Sequence, residues 1–279
     1  MNESIKVGEY NTLLVDRDSS FGYYLVSSDG SDVLLPKSDV NDSLNIGDQI
    51  KVFVYRDSED RVVATTLKPK LCVGEFAFLE VVDESDFGVF VDIGLLKHVL
   101  VPKKMQKGSL KVGKKYLFAM SLDMDSDRLV CDMRIHRYLD KESSHAKHLK
   151  QVDLLVIAKT PLGYKVIVNN SYEGLVYENE IFAPINVGDR LKGYVKKVRG
   201  DGKLDISINP IGKNKVDLNS QKVVDVLKEN GYKVKFGYKS DAKDIKKVFG
   251  MSKKAFKASL TKLLNTNQIK LIDNEILLN

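Results

Sequence analysis

The chain of 279 residues is poor in the features that mark secreted and membrane proteins. Its only cysteines, Cys72 and Cys131, are too few for a disulfide framework, and both fall in strand-like runs where we expect buried thiols. No apolar run approaches the length of a membrane span, and the mean hydropathy is −0.21. The segment MNESIKVGEY lacks the basic and apolar regions of a secretory signal. These absences predict a cytoplasmic protein that does not contact a membrane.

Side-chain patterns for catalysis or metal binding are also missing. There is no convincing nucleophile–base pair and no carboxylate cluster of the two-metal kind. GDGK at Gly200 is not followed by the Gly-Lys-Ser/Thr of a phosphate loop, and DMDSDR has Arg128 where a calcium loop requires glycine, so both are predicted to be turns. His145 and His148 in HAKH have no third ligand nearby and are interpreted as part of a linker. We therefore expect neither an enzyme nor a bound cofactor.

What the sequence does contain is an internal repeat. FGYYLV at Phe21 and FGVFVDIG at Phe87 share a pattern, and three pairs of landmarks have the same offset of 66 positions: Gly22 and Gly88, Pro36 and Pro102, Gly47 and Gly113. A looser third copy has LGYKVIV, EGLVYENEI and NVGDRLKGYVKKV in the same order, beginning at Leu162. A constant offset indicates tandem duplication, so three similar units make up most of the chain.

Each copy has the pattern of a small β-barrel. Runs such as Gln49–Tyr55, Val89–Ile93 and Arg190–Val198 are rich in β-branched and aromatic residues with period-two alternation. About five short strands in roughly 65 residues favour a closed barrel of the oligonucleotide-binding (OB) type. An immunoglobulin-like sandwich, with about seven strands in roughly 100 residues, fits less well. We predict three tandem OB barrels at residues 1–70, 71–140 and 141–213, the last including a linker.

The C-terminal residues 214–279 change to a helical pattern. Ser220 is the expected N-cap of a first helix, and two further helices, capped by Ser240 and Ser252, are joined at Gly250. The predicted apolar positions of these helices are Val223, Val224, Leu227, Ile245, Val248, Phe256, Leu260 and Leu263. QIKLIDNEILL then predicts a hairpin. Three helices and a hairpin make a winged helix-turn-helix, so the chain is predicted to be mostly β with a C-terminal α+β domain.

Charge is distributed unevenly along the chain. The numbers of Lys and Arg against Asp and Glu are 8 and 12 in residues 1–71, 10 and 11 in 72–140, 13 and 8 in 141–215, and 13 and 7 in 216–279. A polyanion is therefore expected to bind the C-terminal half and to be repelled by the first barrel. The alternative is that the lysines only keep small domains soluble.

The motifs resemble a known repeat. The order FGVFVDIG, VLVPKKM, KVGKKYLFAM and DSDRLVCDM resembles the RNA-binding repeat of bacterial ribosomal protein S1, and EGLVYENEI is similar to its Gly-Leu-Val-His-x-Ser-Glu-Ile segment. Three such repeats followed by a winged helix resemble the conserved virulence factor B family of bacterial RNA-binding regulators. This resemblance implies a post-transcriptional regulator that binds single-stranded RNA.

In the repeat family, RNA lies on one barrel face, which includes the aromatics of the Phe-Gly-x-Phe stretch, a His and a late basic residue. The implied contacts in the first two copies are Phe21, Tyr24, Phe87, Phe90 and Arg128, with Arg61 at the late basic position of the first copy. Gly88 is expected to let the chain bulge so that Phe87 and Phe90 form one stacking platform; the alternative places one ring in the core. Pro36 and Pro102 replace the His, so these copies lack one contact and are weak binders or spacers.

The third copy departs from the family pattern differently. Tyr177 stands at the His position, while Leu162 and Lys165 replace the aromatics. The resemblance implies a platform of Tyr177 with Tyr164 or Tyr172 nearby, and a phosphate contact by Lys165. Further candidate cations are Lys196, Lys197, Arg199 and Lys203. Charge and motif together make the third barrel the best predicted RNA site.

The winged helix supplies the remaining candidates. Lys253, Lys254 and Lys257 lie near the start of the second helix of the turn motif, the end that reaches the groove in helix-turn-helix proteins. No cluster of Arg, Asn and Gln accompanies them, so we expect phosphate contact rather than base reading, with protein docking as the alternative. Two functions remain open: a monomeric single-stranded RNA-binding protein acting mainly through the third barrel and winged helix, or a DNA-binding transcription regulator with the barrels as protein-interaction modules.

Overall fold

The fold is taken from a computed structural model. It describes residues 4–40, 44–143, 145–146, 151–181, 184–209 and 213–279, the last range without the side chains of residues 213–215. The chain divides between Leu139 and Asp140 into two compact units. The first unit holds two barrels, and the second holds a third barrel and a helical domain.

The first barrel is a closed sheet of five strands. These are β1 (Tyr10–Asp18), β2 (Gly22–Val26), β3 (Asp32–Pro36), β4 (Gln49–Arg56) and β5 (Val62–Thr65). Their order is β1-β2-β3-β5-β4, and β4 pairs back onto β1. Only β3 and β5 pair in parallel. This five-stranded closed sheet has the form of a small OB barrel.

The second and third barrels repeat this topology. Their strands are β6 (Phe76–Ser85), β7 (Gly88–Val91), β8 (Val99–Pro102), β9 (Lys115–Leu122), β10 (Leu129–Asp132), β11 (Val152–Thr160), β12 (Gly163–Val168), β13 (Tyr172–Tyr177), β14 (Arg190–Val198) and β15 (Leu204–Ser207). In both barrels the fifth strand lies between the third and the fourth. The segment GDGK forms the turn between β14 and β15, and DMDSDR the turn between β9 and β10. The predicted three-barrel architecture is confirmed.

Alternating side chains of the strands fill each barrel. The two cysteines differ in how deeply they are buried. Cys131 in β10 is fully buried in the core of the second barrel, which raises its pKa. Cys72 lies just before β6 and is only half-buried, so the expectation of a buried thiol in a strand is wrong for this residue. Desolvation, followed by the charges of Glu75 and Glu9, still raises the pKa of Cys72 to about 11.

The C-terminal domain is a winged helix. Its elements are α1 (Lys213–Glu229), β16 (Lys233–Val234), α2 (Ala242–Phe249), α3 (Lys253–Asn265), β17 (Ile269–Ile272) and β18 (Glu275–Leu278). Gly250 ends α2 in the left-handed conformation, and the Ser252 hydroxyl caps α3 by accepting from the Ala255 amide, both as predicted. Asp273 and Asn274 have φ of 48° and 62° and form the turn of the predicted hairpin.

Three details of the predicted helices are wrong. Ser220 is not an N-cap, because α1 begins at Lys213 and places Ser220 on its buried stripe, at helical spacing from Val223 and Leu227. Asp241 rather than Ser240 caps α2, since its carboxylate accepts from the Lys243 amide while the Ser240 hydroxyl accepts from Gly237. Val248 is exposed, and its neighbour Phe249 fills the core instead. The other predicted apolar positions are buried: Val223, Val224, Leu227, Ile245, Phe256, Leu260 and Leu263.

Candidate nucleic-acid interface

A glycine in each barrel sets the geometry of the candidate RNA face. Gly22, Gly88 and Gly163 begin the second strand of their barrels and pair with Pro36, Pro102 and Tyr177, respectively. Their φ angles are 158°, 155° and 144°, and an added Cβ would lie within about 2.1 Å of the carbonyl oxygen of Leu35 or Val101 and 2.0 Å from that of Val176. No side chain fits at these positions, which explains the shared glycine of the repeat.

In the second barrel, Phe90 of β7 lies on the outer face with Leu100 and Pro102 of the neighbouring strand β8. The expected bulge is not at Gly88: it lies in β6 between Val81 and Asp83, opposite Phe90 and Val91, while Gly88 keeps regular pairing. Phe87 is 78% exposed in the turn before β7, so it is not a core residue. Whether Phe87 and Phe90 stack bases together stays a prediction.

The basic residue of this face is already engaged. Arg128 donates to both carboxylate oxygens of Asp60, which lies in the β4–β5 turn of the first barrel. This hydrogen bonding lowers the pKa of Asp60. The contact is supported by apolar packing, because Phe53, Tyr55 and Val63 of the first barrel are buried in one cluster with core residues of the second.

In the first barrel, intramolecular contacts cover more of the candidate RNA face. Phe21 is exposed at 75%, but the Arg17 guanidinium lies 4.0 Å from the centre of the Tyr24 ring and covers it. Arg17 is itself paired with Asp16 and Asp32. The late basic residue Arg61 pairs with Asp57 and Glu59 in its own turn. A nucleic acid has to compete with these contacts to use either Tyr24 or Arg61.

The third barrel separates its tyrosines onto two sides of the sheet. Tyr177 is paired with Gly163 and lies on the outer face with Leu175 and Lys165. Tyr164 and Tyr172 instead pack partly against the barrel core, opposite Val176 and Val168. The expected platform of Tyr177 with one of these rings is therefore corrected: strand alternation puts Tyr164 and Tyr172 on the inner side. The apolar neighbours of Tyr177 are the half-buried Leu175 of the same strand and the exposed Leu162 just before β12.

The cations of this face surround one carboxylate. Glu173 lies 2.9 Å from the Lys203 ammonium and 3.7 Å from that of Lys165, and all three line an open cleft of about 360 Å³ with Arg199. The Tyr177 hydroxyl donates to Asp205, 3.2 Å away. Sequence reasoning found the lysines but missed Glu173, although its place beside Gly-Leu-Val brings it next to the predicted site.

The remaining predicted cations have different surroundings. Lys196 pairs with Glu180, and Arg199 pairs with Asp201 at 3.2 Å. Among the described residues, Lys197 makes no salt bridge within 4 Å.

In the winged helix, Lys254 and Lys257 are exposed on the first turns of α3, whereas Lys253 is half-buried and donates to the Lys239 carbonyl. Two of the three predicted lysines are thus presented to solvent.

Two further observations concern membrane spans and metal sites. No helix in the described part of the chain is long and apolar enough to cross a membrane. Within the same residues, no three His, Cys, Asp or Glu side chains come together as a metal site. Of the two histidines of HAKH, only His145 is among the described residues, and His148 lies outside them.

Comparison with known proteins agrees with this architecture. Residues 7–67 and 73–117 match the S1 domain family, and residues 221–278 match the CvfB-like winged helix domain family. The third barrel lies outside the matched S1 ranges but has the same strand order. S1 domains are OB folds, and OB folds and winged helices are both used to bind nucleic acids. Neither matched family is an enzyme family.

Curated relatives are similar to this chain over most of its length. The chain is 28% identical to the protein YitL of Bacillus subtilis, covering 96% of this chain and 92% of that one, and 26% identical to conserved virulence factor B of Staphylococcus aureus, covering 92% and 88%. A crystal structure of a multidomain protein with nucleic acid binding domains from Streptococcus pneumoniae matches 98% of both chains at 23% identity, with a TM-score of 0.41. The chain therefore combines S1 domains with a CvfB-like winged helix domain and is homologous over most of its length to the conserved virulence factor B proteins, which confirms the resemblance of its motifs.

Proposed function

We propose that the protein binds single-stranded RNA and acts as a post-transcriptional regulator, using the outer face of the third barrel and the winged helix. The observation that carries this proposal is the arrangement on β12, β13 and β15. One half-buried tyrosine on the outer face, Tyr177, lies with Leu175 and with the ammonium groups of Lys165 and Lys203. A base stacks on the ring while the lysines hold the flanking phosphates, a combination that tolerates many sequences.

The winged helix supplies further cations. Lys254 and Lys257 project from the start of α3 without a neighbouring set of Arg, Asn or Gln side chains that reads base edges. Their part in the proposal is contact with phosphates. The protein thus binds RNA with little sequence preference and with an affinity that falls steeply as salt rises.

A second candidate function is favoured by one observation. In α2 and α3 the left-handed Gly250 makes the tight turn of a helix-turn-helix, and α3 presents its lysines at the end that enters a DNA groove in such motifs. The alternative is therefore a DNA-binding transcription regulator in which the barrels bind proteins.

A direct titration separates the two. The full chain is titrated against a labelled single-stranded RNA of about 20 nucleotides, longer than the site of one OB fold, and against duplex DNA of matched length, each at several salt concentrations. We expect RNA to bind at least about tenfold more tightly than the duplex, a difference of about 1.4 kcal/mol. Equal or tighter binding of the duplex would favour the DNA-binding alternative.

A further inference from the structure

The second barrel has a lysine-rich connection between β8 and β9, although the net charge of the barrel as a whole is slightly negative. Residues 103–114, between β8 and β9, contain Lys103, Lys104, Lys107, Lys111 and Lys114 and no acidic residue. Residues 93–122 as a whole contain no Asp or Glu. The acidic residues that make the segment 72–140 slightly negative lie on either side of this stretch, so averaging over the barrel hides it.

These five lysines are available for an external anion. All are exposed. Among the described residues, the salt bridges of the second barrel are made by Arg128, Arg134 and Asp92, and none involves the five lysines. In contrast, Lys165 and Lys203 of the third barrel are bound to Glu173, a contact that a phosphate has to displace.

The backbone that carries these lysines is fastened to the barrel. The Gln106 side chain donates to the Val101 carbonyl, and the Met133 amide donates to the Met105 carbonyl at 3.0 Å. Leu110 is buried in the core, and the Gly113 amide donates to the Val81 carbonyl at 2.7 Å. Because these anchors alternate with the lysines along the chain, the charges project from a fixed framework, and binding orders fewer backbone torsions.

The connection begins beside the aromatic face of the same barrel. Lys104 lines a cleft of about 500 Å³ together with Phe90, Leu100 and Pro102. Asp123 also borders this cleft, but its carboxylate accepts hydrogen bonds from the amides of Asp125 and Ser126 in its own turn. An apolar and aromatic surface therefore adjoins a row of unpaired cations, the two elements that hold a single strand.

We propose that residues 103–114 form a phosphate-binding surface for single-stranded RNA that continues from the cleft at Phe90. The proposal rests on the proposed function and extends it to the second barrel, which was predicted to be a weak binder or a spacer because Pro102 replaces the family's His. The RNA places a base against Phe90, and its phosphates follow Lys103, Lys104 and Lys107.

The test uses the full chain with Lys103, Lys104 and Lys107 all changed to Gln. A control with the same change in charge replaces Lys6, Lys51 and Lys68, which are exposed and lie outside both proposed surfaces. The probe is a labelled polyuridine of about 20 nucleotides, with a DNA duplex of matched length as the second arm. Since each lysine–phosphate contact on a single strand contributes about 0.7 to the salt slope, the site variant should lose about two units of slope and bind at least about tenfold more weakly near 0.1 M salt.

The possible outcomes separate this proposal from the proposed function. Loss in the site variant but not in the control, with binding retained when the three lysines become Arg, supports it. Equal loss in both variants, no loss in either, or loss of duplex binding alone overturns it. If the wild-type chain binds no RNA, the proposed function fails as well. If the wild type binds and only the Tyr177 and Lys165 variants lose affinity, this proposal alone fails.

Discussion

Arg128 of the second barrel and Asp60 of the first are joined by two hydrogen bonds, with Nε–Oδ1 at 3.0 Å and Nη2–Oδ2 at 3.1 Å. The late basic residue of the repeat, which the family resemblance assigns to RNA, is thus held by an acidic turn of the preceding repeat. Both side chains are about half exposed, and solvent weakens exposed pairs of this kind so that they contribute little to stability. The contact is weak enough for a phosphate to replace it.

Removing Asp60 should therefore strengthen RNA binding. Asp60→Ala frees Arg128, and we expect affinity for single-stranded RNA to rise by up to about fivefold, the upper end of what such a pair contributes. Asp125→Ala is the matched control, since Asp125 has the same charge, is exposed in the same turn as Arg128, and makes no salt bridge among the described residues. Fluorescence anisotropy at constant salt measures both. Equal gains in the two variants would show a general charge effect and contradict competition for Arg128.

Tyr177 tests stacking in the third barrel. Tyr177→Ala should weaken RNA binding by about 1–3 kcal/mol, because a base loses its aromatic partner, while Tyr177→Phe should retain most of the affinity. The Phe variant loses only the hydrogen bond to Asp205. A thermal melt of both variants provides the control for folding. A stable Tyr177→Ala protein with full affinity would exclude stacking on this ring.

Glu173 restrains two of the lysines proposed to bind phosphate. Glu173→Gln should raise RNA affinity and steepen its salt dependence, since Lys165 and Lys203 lose their shared partner. Glu178→Gln removes the same charge from an exposed site next to β13 and is the control.

Lys165→Ala should have the opposite effect to Glu173→Gln and flatten the salt dependence of RNA binding by about one unit of slope, equally for all RNA sequences. Salt titrations that gave parallel slopes for all variants would rule out these contacts.

The repeated glycine can be tested through stability. Gly88→Ala places a Cβ 2.1 Å from the Val101 carbonyl oxygen, and the resulting clash and strain should cost about 2 kcal/mol or more. Gly108 has φ of 77° but nothing within 4 Å of its Cβ position, so Gly108→Ala isolates the backbone term and should cost about 1 kcal/mol. Chemical denaturation followed by circular dichroism measures both. Similar losses would contradict the steric role of the Val101 carbonyl.

The pairing of Asp132 with Arg134 should make the stability of the second barrel sensitive to acid. Burial raises the pKa of this carboxyl, but hydrogen bonds from Arg134 outweigh it and leave the pKa below its usual value. A lowered pKa stabilises the fold above the unfolded value of about 3.9, and this contribution is lost as the pH falls through the folded value. Asp132→Asn should destabilise the protein by about 1.5 kcal/mol or more at neutral pH, because the buried carboxylate loses its hydrogen bonds from Arg134. Melting curves should show this difference shrinking towards pH of about 3. A difference independent of pH would contradict the charge pairing.

The sequence predicted the architecture well because its information is local and repeated. The spacing of Gly22 and Gly88 identified the barrels, and Ser252 and Gly250 marked the helix-turn-helix. The partners of the predicted cations were not accessible in this way, since Asp60 and Arg128 are far apart in sequence and meet only through packing of two barrels. Tyr172 was misplaced although it stands five positions before Tyr177 in β13, an odd spacing that puts the two rings on opposite faces. The face of Tyr164 follows from the pairing of β12 with β13, which puts it opposite Val176 and which the sequence pattern alone does not reveal.

The closed barrels also bear on how a chain of similar repeats avoids misassembly. Tandem repeats are prone to exchange strands with their neighbours, and an unpaired strand edge is where such exchange begins. In each barrel the fourth strand pairs back onto the first, so all five strands have two neighbours. Open edges remain in the small sheet of the winged helix, where β16 and β17 are the outer strands. Among the strands that the structure describes, only those of the C-terminal domain therefore have an edge open to pairing between folded molecules, and concentrated solutions should aggregate through it rather than through the repeats.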